Sequence, residues 1–458
     1  MKKKKEVTSP QEPPKKYIFP KKFFHYKQRS IINLEQDTVS FQTIKRIKSP
    51  LLRFQSYYGR KEPKGLSKLL GQTIGFQKNI QKLILSLPSS FKDKDLLYVT
   101  HGLKRLKSLQ RLALQIVSCN HITDRGFSYL MKGLTRLCLL NIFSLDIHHS
   151  DDITDVGLHY TSRSIKKMVF LKGICLDFSR KLQITSKGMS EINTSLNRMT
   201  KLEDITLKIY DCPQITDGSL ANMRLNRHIF LRKIYLLLWE CDQLTDKIMY
   251  FMTRGLKKLP NLQSFKLRFW ECPRVSDAGL HHLWEMMNNL PSLRRVTFEF
   301  SYSSEITDAI FDDMNETLKC LTLIQKLRMQ FCRCPGITDA GIVSLCKALD
   351  RAVSLEDLSV FFESCSKITD IGAKKVIDCM KKVTHLRCVG IDFTYMEKVT
   401  DASLKEMSHF FQSQTSLEKI RLCSREMGGT TLEGVDNFLE VLDNLKKERS
   451  NLTIKYLD

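Results

Sequence analysis

Ten times along this 458-residue chain a hydroxyl-plus-aspartate step, or a near variant, recurs behind a short apolar alternation. From Asp124 the second position of the step falls at Asp155, Ser186, Asp217, Asp246, Asp277, Asp308, Asp339, Asp370 and Asp401, so every interval is 31 residues except one of 29. At a fixed period of this size each unit is one supersecondary element that covers its apolar face only by stacking on its neighbours. Length alone would suggest about three domains of roughly 150 residues. The repeat overrides that count, because a solenoid grows by adding units and has no single core to outgrow.

The unit can be read from Leu262 to Pro291. Phe265, Leu267 and Phe269 alternate with Lys266, Arg268 and Trp270, the period of a strand with one face buried. The same alternation stands at Ile205, Leu207 and Ile209, at Leu327, Met329 and Phe331, and at Leu358, Val360 and Phe362. The hydroxyl of the following Thr-Asp or Ser-Asp step can cap free backbone N–H groups, and the carboxylate sits well against the positive end of a helix, so a helix is expected to start there. Its apolar face is visible in Ile342, Leu345, Cys346 and Leu349, and again in Leu280, Leu283, Trp284 and Met287. Helices are wider than strands, so the stack must curve with its strands inside.

These residues resemble leucine-rich repeats, closest to the cysteine-containing type of F-box substrate receptors. The signature is Leu-x-x-Leu-x-Leu followed by Cys-x-x-Ile-Thr-Asp-x-Gly, as at Cys119 to Gly126, Cys334 to Gly341 and Cys365 to Gly372. The period of 31 is nearer the ribonuclease-inhibitor-like type, and the cysteine is replaced at Ser150, Lys181, Ser303 and Met396. The resemblance implies an α/β solenoid, a horseshoe with a parallel concave sheet and outer helices. It spans residues 67–458 with about 11–12 units. Ile80, Leu83, Leu85 and Leu87 with Asp93 read as an irregular first unit. Leu417, Ile420 and Leu422 open a last unit without the Thr-Asp step, and Leu452, Ile454 and Tyr456 add a closing strand.

Residues 1–66 do not repeat and read as a basic, partly disordered leader or an N-terminal cap. Residues 1–64 hold 17 basic and 5 acidic side chains, half of the chain's net +24. Lys15, Lys16, Lys21, Lys22, Lys27 and Arg29 interleave with Tyr17, Phe19, Phe23, Phe24 and Tyr26. This arm suits RNA, an acidic protein surface, or docking on the first repeat. The fourteen cysteines form no dense framework and read as reduced thiols, six of them (Cys119, Cys212, Cys241, Cys272, Cys334 and Cys365) at one packing position of the repeat. No apolar run approaches the roughly 20 residues needed to span a bilayer. A cytoplasmic or nuclear location and no membrane partner are expected.

The strongest surface lies on the middle strands, where Lys208 and Tyr210, then Tyr235, Leu237 and Trp239, then Lys266, Arg268 and Trp270 point outward, with Arg328 further along. Stacked aromatics flanked by cations, rimmed by Asp211, Glu240 and Glu271, have the makeup of binding hot spots. An aromatic ladder that merely covers the strand ends is the competing reading. Glu299, Gln330, Phe361, Glu363 and Asp392 read as an unremarkable polar continuation. His148, His149, Asp151 and Asp152 offer ligand chemistry, but adjacent strand side chains face opposite ways, and no metal or cofactor is expected. Cys332 and Cys334 have no second pair at zinc spacing. No phosphate loop, nucleophile elbow or His-Glu-x-x-His occurs, so no enzyme is expected. The function expected is a non-catalytic scaffold that holds a protein partner on the concave face, with the basic arm for an acidic partner. The alternatives are the substrate-recognition subunit of an F-box-type ubiquitin ligase, implied by the resemblance, and a structural subunit of a ribonucleoprotein or cytoskeletal assembly. Oligomeric state is not legible.

Overall fold

The computed structural model describes residues 31–33, 51–55, 65–423 and 428–457. Among these residues fifteen strands lie in chain order in one sheet, from β1 (Ile31–Asn33) to β15 (Thr453–Leu457), each parallel to its neighbours. From β2 onward helices alternate with the strands on the outer side, except between β7 and β8. The chain therefore folds as an α/β leucine-rich-repeat solenoid.

The unit forms as its sequence dictates. In β9 (Ser264–Trp270) Phe265, Leu267 and Phe269 are buried, whereas Lys266, Arg268 and Trp270 are half-buried on the opposite, concave face. Ser276 then caps the helix Asp277–Met287 by accepting the Ala278 N–H at 3.2 Å. Leu280, Leu283, Trp284 and Met287 turn inward. Stacked Phe269, Phe300, Phe331 and Phe362 run through four successive units with ring centres 6.2, 6.1 and 5.9 Å apart. They form part of one continuous core.

The step's aspartate does more than favour a helix end. Each carboxylate reaches into the next unit, where it accepts both the backbone N–H and the hydroxyl of the following Thr or Ser. Asp124 does so with Thr154 at 3.0 and 2.7 Å, and Asp339 with Thr369 at 2.9 and 2.7 Å. The series runs from Asp93, which holds Thr123, to Asp401, which holds Thr431, and Ser186 carries it at its one non-aspartate position through the Thr216 N–H at 2.8 Å. This explains the glycine two positions on. A Cβ on Gly341 would stand 2.0 Å from the Asp308 carboxylate, and one on Gly372 2.2 Å from that of Asp339.

Three features depart from the sequence reading. The sheet begins earlier, since β1 and β2 (Leu51–Gln55) lie within the segment read as a leader, and the helix Leu66–Phe76 precedes Ile80. Leu52 and Phe54 of β2 are fully buried in register with Leu83 and Leu85, an alternation that no Thr-Asp step follows and that was therefore missed. The unit at Ile80 is regular, because Asp93 opens a helix and joins the series. Finally, Asp217 opens no α-helix but a single 3-10 turn, Asp217–Ser219, which accounts for the 29-residue interval. Lys15, Lys16, Lys21, Lys22, Lys27 and Arg29 lie outside the described residues.

Candidate functional site

The register of β7 (Asp204–Tyr210), β8 (Lys233–Trp239), β9, β10 (Arg295–Ser301) and β11 (Lys326–Cys332) places the concave residues in rows. Tyr210, Trp239, Trp270 and Ser301 make one row; Leu237, Arg268, Glu299 and Gln330 make the next; Tyr235, Lys266, Thr297 and Arg328 make a third. The sequence-predicted surface is thus brought together on one face, though its members differ in availability.

In the aromatic row Tyr210 stacks on Trp239 with ring centres 4.5 Å apart, and Trp239 meets Trp270 edge-on at 4.9 Å. Tyr210 is only 6% exposed. Arg180 covers its ring at 5.0 Å and donates to its hydroxyl at 2.9 Å, while its other terminal nitrogen meets His149 Nε2 at 2.8 Å. Trp239 and Trp270 are half-buried. Their indole nitrogens are enclosed without an acceptor among the described residues.

Behind this row Asp211, Glu240 and Glu271 take left-handed backbone angles, with φ of 50, 48 and 52°. A non-glycine residue there costs roughly 1–2 kcal/mol. The turn nevertheless lets each N–H continue the sheet, Asp211 N–H donating to the Trp239 carbonyl and Glu240 N–H to that of Trp270, both at 2.9 Å. Burial, then the neighbouring Glu271 and Asp211, raise the Glu240 carboxyl above its ordinary value.

At the centre of the face stands Glu299, with no exposed surface. Arg268 clasps it through both Nε and Nη2, the latter at 2.9 Å, Lys266 lies at 3.3 Å and Arg328 at 3.7 Å. Burial alone would push the Glu299 carboxyl up, but Arg268, Lys266 and Arg328 outweigh it and hold it below the usual range. Burial pulls the Lys266 ammonium down to about 8, with Glu299 opposing and the two guanidiniums reinforcing the fall. Lys266 and Arg268 also lie over the Tyr235 ring, at 5.1 and 5.9 Å, and Arg328 over Phe361 at 4.7 Å. Glu299 was read as an unremarkable polar position. Its importance was visible in the repeat, because residue 299 stands 31 after Arg268 and so beside it in the sheet. The same offset pairs Lys208 with Asp177 at 3.0 Å, which locks that lysine, only 14% exposed at its side chain.

The remaining candidates are engaged separately. His148 Nδ1 meets Asp146 at 2.6 Å, whereas His149 turns to Arg180. Burial pushes the Cys212 thiol up to about 12 and Cys334 to about 11, which suppresses the reactive thiolate. Cys332 is buried beside Cys334. The face can therefore offer aromatic, aliphatic and cationic contacts to another molecule: Leu237, Trp239 and Trp270 with Lys266, Arg268 and Arg328.

No protein-family model matches the sequence, and no curated protein matches it. Among solved structures, the chain is similar to the yeast complex of Rad7 and Elc1, with a TM-score of 0.51, 15% identity, and coverage of 84% of this chain and 83% of the other. An internalin from Listeria monocytogenes matches with a TM-score of 0.42 at 15% identity over 83% of this chain and 88% of its own. A leucine-rich-repeat protein of Leptospira interrogans matches at 0.34 and 12% identity over 93% and 100%.

Proposed function

We propose that this chain is a protein-interaction scaffold that holds a partner against its concave face, with Trp239 and Trp270 as the anchor and Lys266, Arg268 and Arg328 beside them. The observation that carries this reading is the row of half-buried Trp239 and Trp270, in register on the concave face, with Lys266, Arg268 and Arg328 in the neighbouring rows. Large aromatics beside arginines are the residues in which binding energy concentrates. That Rad7, similar in fold, is found in complex with Elc1 supports the use of such a solenoid to carry a partner.

The test is site-specific crosslinking. A photoreactive residue at Leu237, on the concave face, should capture one discrete partner from the native source. The same residue at Tyr250, on the helix Asp246–Leu256 and 42% exposed, should not. Trp239→Ala with Trp270→Ala should weaken retention of that partner by about 2 kcal/mol or more. Capture at Tyr250 but not at Leu237, or unaltered retention by the double variant with its fold intact, would remove the concave face from the account.

A further inference from the structure

Because all strands run the same way, the loops that lead from each helix to the next strand share one edge of the solenoid. Most of these loops have two apolar residues that turn inward and two positions between them that face outward. Met168 and Leu171 bracket Val169 and Phe170; Leu259 and Leu262 bracket Pro260 and Asn261; Leu290 and Leu293 bracket Pro291 and Ser292. The fold therefore makes no demand for apolar residues at the middle positions. Yet Val169 and Phe170 are 62% and 53% exposed, Ile229 and Phe230 53% and 54%, and Leu139 in a neighbouring loop 53%.

The surroundings of these side chains are cationic. Arg136, Lys167, Arg198, Lys201, Arg227 and Arg232 are all exposed on the same loops. The two carboxylates there, Glu203 and Asp204, are taken up by Lys172 and Lys233 at 2.9 and 3.0 Å. Lys201 lies 5.5 Å over the Phe170 ring, keeping charge and apolar surface in one patch. The opposite edge, where strands lead into helices, is net acidic over these units: Asp151, Asp152, Asp211, Glu240, Asp242 and Glu271 outnumber Arg180 and Arg274. The array is thus polarised from edge to edge.

We propose that the edge bearing Val169, Phe170, Ile229 and Phe230 docks on an anionic lipid bilayer. The apolar tips enter the headgroup layer and the surrounding Lys and Arg meet the lipid anions. Apolar groups projecting among cations are what an interfacial, non-spanning contact requires. The contact needs no long apolar run, and no described helix is long and apolar enough to cross a membrane. A nucleic acid would satisfy the cations, but it would leave Val169, Ile229 and Leu139 in water, since aliphatic side chains provide no stacking platform. The polarity sets the orientation, with the acidic edge away from the bilayer and the concave face open to the side.

Co-sedimentation of the full chain with phosphatidylcholine vesicles, with and without phosphatidylserine, tests this. Binding should require phosphatidylserine and weaken as salt rises. Phe170→Glu with Phe230→Glu, both at exposed positions, should reduce binding at least on the order of tenfold with an unchanged thermal melt. Lys201→Glu with Arg227→Glu should do the same through charge alone. No binding to phosphatidylserine vesicles overturns the proposal. Binding that survives both double variants also overturns it, placing the contact in the basic residues 1–64. An RNA homopolymer bound equally by wild type and the phenylalanine variant, without vesicle binding, would make the edge a nucleic-acid surface instead.

Discussion

Asp308 accepts the Thr338 backbone N–H at 2.8 Å and its hydroxyl at 2.6 Å, joining two units thirty residues apart. The same carboxylate occupies the space that a Cβ on Gly341 would need. Asp308→Ala should destabilise the array by about 2 kcal/mol, because it leaves a half-buried N–H without its acceptor. Gly341→Ala should cost a similar amount, about 2 kcal/mol, by overpacking. In the double variant the two losses should not add, since the methyl group then meets no carboxylate. Urea denaturation of the four proteins measures this coupling, and additive losses would contradict it.

Lys181 fills the position held by cysteine in Cys212 and Cys241, and its side chain is buried, with Nζ donating to the Ser150 carbonyl. That carbonyl also accepts the Ile153 N–H at 3.1 Å and so does not depend on the lysine. Lys181→Cys should therefore stabilise the fold at neutral pH, by about 1–2 kcal/mol, the scale of one poorly compensated buried polar group. Burial pulls the ammonium down to about 8 from 10.5. Between those values the unfolded chain binds more protons, so this residue's contribution to stability rises with pH from about 8 to 10.5. Denaturation midpoints across that range should climb less steeply in Lys181→Cys.

Glu299 compensates Lys266, Arg268 and Arg328 at once. Glu299→Gln should cost about 3 kcal/mol, because it leaves three partly desolvated cations facing one another. Removing one cation with Arg328→Gln should cost much less, since Arg268 still clasps the carboxylate. Equal losses in the two variants, read by chemical denaturation, would show that the cluster is not organised around the carboxylate.

His228 is fully buried, with Nδ1 3.1 Å from the Leu225 carbonyl and Nε2 2.9 Å from that of Leu196. Burial lowers its pKa below 6.5 despite those carbonyls. Below about pH 6.5 the unfolded chain thus takes up a proton that the folded chain resists, and stability falls with acidification. In His228→Gln the melting temperature should depend less on pH below that value, whatever its level at pH 7.

Much of this fold could be read in advance from one spacing. Strands at Phe265, Leu327 and Leu358, helices opening at Asp277 and Asp339, and a closing strand at Ile454 all stand where alternation and the Thr-Asp step put them. What escaped was relational. The aspartates read as helix-end charges because their acceptor role is played thirty residues away, and Glu299 looked ordinary until the sheet set it beside Arg268. Adding 31 to a charged residue in or just before a strand would have found Arg268 with Glu299, Lys326 with Asp357 and Arg387 with Glu418. The outward direction of Trp239 and Trp270 was legible, but the burial of Tyr210 beneath Arg180 was not, since it depends on a left-handed turn at Arg180.

The missing helix behind β7 has a mechanical consequence. Elsewhere among the described residues the outer layer is continuous, each helix leaning on the next, but between the helices Ser186–Leu196 and Asp246–Leu256 only the turn Asp217–Ser219 stands in line. Neighbour contacts are the whole cohesion of a solenoid, so tension along the molecule finds its weakest joint there. Under force or heat the coil is expected to part first into a leading and a trailing block, at a seam directly behind the aromatic row, where the strand ladders and loop hydrogen bonds such as Asn193 to the Ser219 carbonyl are left to hold it.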